Sequence, residues 1–141
     1  MITELNEEAA RKLLREQTSA HLGCVLETGE PYIVPVNYIY KDNQIYIHSL
    51  PGQKLDALRA NGKACVQVEK IEAGCRWRSV IAFGEFQEIK RTNEKIEILR
   101  EFNEKFEHLT PVEAMIKEQW NVGGMVVFRI NIRRITGMAE S

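Results

Sequence analysis

The sequence predicts a mainly β fold: a closed or partly closed barrel of six mostly antiparallel strands, with a few helices at its periphery. Three observations carry that reading. Short segments rich in Val, Ile and Tyr recur along the chain, the turn-forming stretches "TGE", "KDN" and "EAG" separate them, and Trp77, Ser79, Ile81 and Phe83 alternate as one face of a strand does. Closing such a sheet removes the exposed edges that a run of strands would otherwise carry. A ferredoxin-like or other α+β sheet is the competing arrangement.

The elements follow in order. Leu5, Ala9, Leu13 and Leu14 recur at helical spacing around Asn6, a capping residue, so residues 6–17 are expected to be helical. Residues 21–27, 32–40 and 44–49 read as an antiparallel meander. Residues 53–60 form a short helix, with Leu55 and Leu58 on one side and Asn61-Gly62 offering a left-handed stop. Strands resume at 63–71 and 76–89, where Gly84 marks a bend or the close approach of another backbone. A helix is expected over 93–106. Thr110-Pro111-Val112-Glu113 is a capping box with proline at the first helical position and predicts another helix to about residue 119. Residues 123–137 close the chain as one long strand. No repeat or linker interrupts the sequence, so residues 1–141 are read as a single domain.

Composition narrows the function. At 141 residues, 44% apolar and 28% charged, the chain can bury its own core. A formal net charge of −1 leaves no excess positive charge for a phosphate backbone, which disfavours nucleic acid. No apolar run approaches the ~20 residues of a membrane helix, and the N-terminus lacks the pattern of a signal peptide, so a cytoplasmic protein is expected. Cys24, Cys65 and Cys75 form no CxxC pair and are read as thiols, buried or inert. His21, His48 and His108 show no ligand spacing, and no metal is expected. A GxSxG elbow and the Walker and Rossmann glycine patterns are absent too.

What a plain core does not explain is a set of polar residues. Lys54 stands in the first turn of its helix, where the macrodipole disfavours a cation unless an anion is present. Backbone N–H groups at Gly52, Gln53 and Lys54, the Ser49 hydroxyl and the Lys54 ammonium would together hold a phosphate. The competing reading is an ordinary turn with its lysine in water. Asn37 shares a strand face with Ile33, Pro35 and Ile39, and Pro35 interrupts the ladder, which suggests an edge strand opening onto a ligand or onto solvent. His48 ends its strand just before the phosphate loop and is a candidate proton carrier. Trp77 and Ser79 share a face on which a ring could lie, and core or dimer packing is the alternative for Trp77; Trp120 is equally open.

The segments "HLGCVL", "PYIVPVNYIY", "IYIHSLPGQKLDALRANGKACVQV" and "RSVIAFGEF", in this order, resemble the pyridoxamine 5'-phosphate oxidase-related superfamily of FMN-binding split β-barrels, most closely its nitroimidazole-reductase-like branch. The resemblance spans nearly the whole chain. It implies a six-stranded antiparallel split barrel and a homodimer with two FMN molecules at the interface. Carried over by position, Val36, Asn37 and Tyr38 would line the isoalloxazine ring, His48, Ser49 and Lys54 would hold the ribityl phosphate, and Ser79 would lie near the ring edge. The branch often ends its last strand in Thr-Gly-Lys, and here the lysine position is Met138. Residues that contact pyridoxal phosphate in the true oxidases have no clear counterpart.

The resulting expectation is an FMN-dependent oxidoreductase, a reductase or oxidase of small planar molecules with NAD(P)H or another reduced donor. A protein that stores or senses flavin or haem without turnover is the alternative.

Overall fold

The computed structural model describes residues 1–106 and 124–141. The order is β1 (Ile2–Glu4), α1 (Glu7–Glu16), β2 (Ser19–Val25), β3 (Pro31–Asn37), β4 (Ile39–Lys41), β5 (Gln44–Ser49), α2 (Gln53–Ala60), β6 (Lys63–Ile71), β7 (Trp77–Ile89), α3 (Thr92–Lys105) and β8 (Val126–Glu140). The strands form one antiparallel sheet in the order β3-β2-β6-β7-β8-β5-β4, with β1 added on β8.

That order explains the curvature. β3 and β4 stand at opposite ends of the sheet path, yet only Tyr38 separates them in sequence. The two ends must therefore meet at Tyr38, which curls the sheet into a split barrel. Tyr38 is buried, donates its N–H to the Thr18 carbonyl at 3.1 Å, and donates its hydroxyl to the Leu14 carbonyl at 2.6 Å. This is why the single strand expected over 32–40 divides, and with β1 it raises the expected six strands to eight among the described residues. The adjoining β4–β5 turn places both Asp42 (φ 53°) and Asn43 (φ 60°) in the left-handed region, as a two-residue type I′ hairpin requires.

Helix α1 starts where Asn6 accepts the Ala9 N–H at 2.8 Å. Its Ala10, Leu13 and Leu14 join Leu55 and Leu58 of α2 and the inward residues of the strands, among them Leu22, Val66, Val80 and Phe128, in the main core. A second core lies on the other side of β5 and β8, where Ile98, Leu99 and Phe102 of α3 cover Tyr46 and Val127.

Gly84 meets its expectation. The β7–β8 register shifts between Phe83 and Gly84, and a Cβ at Gly84 would lie 2.2 Å from the Asn131 carbonyl oxygen. The helix stop differs from the one expected: Asn61 is extended (φ −139°), and Gly62 accepts the Phe86 N–H at 2.8 Å, so α2 ends by joining the sheet instead of by a left-handed turn. Cys24 is buried, Cys65 half-buried and Cys75, in the β6–β7 turn, exposed, so burial accounts for Cys24 and not for Cys75. The helix expected after Thr110, His108 and Trp120 lie outside the described residues.

Candidate functional site

The loop from β5 to α2 is built to meet an anion. Gly52 caps α2 with extended backbone and no side-chain hydrogen bond, so the first N–H groups of the helix keep no capping side chain. Lys54 is half-buried beside them. Burial lowers its pKa from the ordinary lysine value, the nearby Cys24 thiol opposes that shift, and among the described residues no hydrogen bond or ion pair holds its ammonium. Burial in turn pushes the Cys24 thiol up, with Cys65 adding to the rise and Lys54 opposing it. A half-buried cation at the positive end of a helix is unfavourable by itself and becomes favourable once an anion arrives. Ser49, buried, currently donates its hydroxyl to the Leu50 carbonyl at 2.8 Å.

The second part is the outward face of β3, β2, β6 and β7. In β3 the residues Ile33, Pro35 and Asn37 point out and are exposed, whereas Val36 points inward and packs on the core. Across the sheet Asn37 stands opposite Ser19, Pro35 opposite His21, and His21 opposite Gln67. Gln67 donates to the Ser79 hydroxyl oxygen at 3.1 Å, and Ser79 stands opposite Met138. Asn37, Ser79 and Met138 thus share one open face. Trp77 sits at its end, half-buried, donating to the Glu140 carboxylate at 2.8 Å. Ile33 is 66% exposed, Ile71 69% and Met138 39%, so the face keeps a large apolar share.

Three of the anticipated residues stand apart. Val36 turns its side chain to the core, which leaves its backbone alone to meet a ligand. Tyr38 uses its N–H and hydroxyl inside the fold, and its carbonyl accepts from Lys105 at 3.1 Å, so it has little polar capacity left for a ligand. His48 points to the opposite face of β5 from Ser49, toward α3, and its ring meets Phe102 edge-on with centroids 4.5 Å apart. The sequence also concealed three features. Lys105, its pKa lowered by burial, lies over the Tyr38 ring at 5.2 Å; Lys54 neighbours Cys24; and His21 and Gln67 join Asn37 and Ser79 on one face. Each depends on cross-strand register or helix docking, for which a single sequence carries no local signal.

With the geometry in place, the comparisons with known proteins decide the family. The family model described as Pyridoxamine 5'-phosphate oxidase matches residues 6–139. This chain belongs to that family. An uncharacterized protein of Rhizobium meliloti (strain 1021) is 33% identical over 88 residues, 62% of this chain and 58% of that protein. Among solved structures, an FAD-binding protein from Mesorhizobium loti is 28% identical with a TM-score of 0.78, covering 100% of this chain and 99% of that one. A provisionally assigned 5-nitroimidazole antibiotic resistance protein from Bacteroides thetaiotaomicron shares the fold at 21% identity and a TM-score of 0.77, over 99% and 87% of the two chains. The family's split barrel is the fold seen here, and among the described residues no helix is long and apolar enough to cross a membrane.

Proposed function

We propose that this chain is a cytoplasmic FMN-binding flavoprotein that works as a homodimer, reducing or oxidising small planar molecules with NAD(P)H or another reduced donor. The observation that carries the reading is Lys54: a half-buried ammonium that meets no counter-charge among the described residues, at the N-terminus of α2, which has no capping side chain. A phosphate monoester supplies the missing charge. The flavin bound by the Mesorhizobium loti relative supports a flavin here as well.

The residues fit the group at both ends. Lys54, the free N–H groups of α2 and a rotated Ser49 would hold the phosphate. Lys54 neighbours Cys24, which pairs with Tyr32, and from Tyr32 to Asn37 β3 runs about 17 Å at ~3.3 Å per residue. β3 ends the sheet path, so a ribityl chain and flat head extended along its free edge would pass from the inward side, where Cys24 and Tyr32 lie, to Asn37 on the outward face, whose amide can donate to ring oxygen or nitrogen. Ser79, its oxygen already accepting from Gln67, keeps a hydroxyl proton for the ring edge. The flavin supplies hydride transfer; the chain binds it, orients it and shields it from water. His48, kept as a candidate proton carrier, turns its ring toward Phe102 and away from Ser49. The exposed apolar residues Ile33, Ile71 and Met138 support a second copy covering the same face.

Absorbance of purified protein titrated with FMN tests the reading. Uptake of FMN and bleaching of its band on adding NADH is the expected result. Bound flavin that no donor reduces would favour storage, and no uptake would overturn the proposal.

A further inference from the structure

Beside Asn37 lies a groove of ≈ 320 Å³ whose walls include Ser19, His21, Pro35, Gln67, Glu69 and Ile71. Its volume is at the small end for ligand sites, enough for one or two rings and too little for a whole flavin nucleotide. Pro35 and Ile71 give it apolar surfaces. Its polar side is a chain of hydrogen bonds whose directions can be worked out.

Gln67 Nε2 lies 3.2 Å from a Glu69 carboxylate oxygen and 3.1 Å from Ser79 Oγ. A carboxylate only accepts, so the NH2 end of the amide faces Glu69 and the carbonyl end faces His21. That carbonyl oxygen, Oε1, is 3.2 Å from His21 Nδ1 and can only accept, so Nδ1 must carry the proton. In the neutral ring, Nε2 is therefore left as an acceptor. Glu69 adds a second acceptor to the same groove.

We infer that this groove is the substrate subsite, and that His21, fixed by Gln67 with Nδ1 protonated, is its specificity-determining residue. It selects a neutral planar ligand of one or two rings carrying an N–H or O–H group, which donates to His21 Nε2. The assignment of that ligand as substrate rests on the flavoprotein reading above. Anionic rings are disfavoured by Glu69.

Nitrogen NMR of the histidine side chains in the FMN-loaded protein tests this, with His21→Phe identifying the His21 signals. Neutral His21 should show the Nδ1–H form, and Gln67→Met should return it to the Nε2–H form that free imidazole prefers. Titrated 1-naphthol should shift the His21 ring signals and bind roughly ten-fold tighter than 1-methoxynaphthalene, the worth of about one hydrogen bond. That preference should vanish in Gln67→Met. An Nε2–H form in the native protein, unmoved ring signals, or equal affinity for the two probes would overturn the inference. If the protein takes up no FMN, the functional reading fails separately, and the same signals followed in flavin-free protein still decide this one.

Discussion

Lys54 pulls in two directions. Because burial lowers its pKa in the folded chain, the unfolded chain holds the proton more tightly in the interval between the lowered value and the ordinary lysine value. Stability of the ligand-free protein should rise with pH across that interval, and the penalty is fully present below it. Lys54→Met should therefore leave the ligand-free melting temperature unchanged or raise it, while shrinking the rise that FMN produces in the native protein; a lowered ligand-free melting temperature would assign Lys54 a structural role. Tyr38 is the opposite case. Tyr38→Phe leaves the buried Leu14 carbonyl without its donor and should destabilise by about 1–3 kcal/mol in urea unfolding. The sequence revealed that Lys54 opens a helix after Pro51-Gly52, since that depends on neighbours in the chain. It could not reveal that Tyr38 is interior or that His48 faces α3, because alternation groups residues by face without saying which face is covered.

The strands and helices were legible wherever local chemistry sets them. β5, α2 and β6 match their expected spans, bounded by the "KDN" turn, Pro51-Gly52 and Asn61-Gly62. The break at Tyr38 was not legible, because it comes from pairing β3 with β2 and β4 with β5, partners at opposite ends of the sheet path. Gly84 is where local and long-range demands meet: the bulge bends β7, and the Asn131 backbone fills the space a side chain would need. Gly84→Ala should destabilise by roughly 1–3 kcal/mol or more, seen as a lower urea midpoint, because the obstacle is backbone and cannot swing aside. Gly23→Ala should cost less, since the nearest atom is the movable Cys65 Sγ at 2.9 Å.

In the molecule as a whole, α1 and α2 pack their apolar residues into the main core, α3 covers β5 and β8, and the outward residues of β3, β2 and β6 stay exposed or half-exposed. If that face is the homodimer interface, Ile33→Glu should halve the mass measured by light scattering while the fold persists; an unchanged dimer would place the interface elsewhere. The anion site and the open face are joined by β3, and this arrangement is what a phosphate-bearing flat cofactor would exploit. The most direct test compares FMN with riboflavin, which lacks the phosphate, in parallel titrations of native protein and Lys54→Ala. The account predicts that FMN binds native protein at least ten-fold tighter than riboflavin, and that Lys54→Ala removes about 1.5–3 kcal/mol of FMN affinity while leaving riboflavin unchanged. Equal affinities for the two flavins, or an FMN affinity indifferent to Lys54, would contradict it.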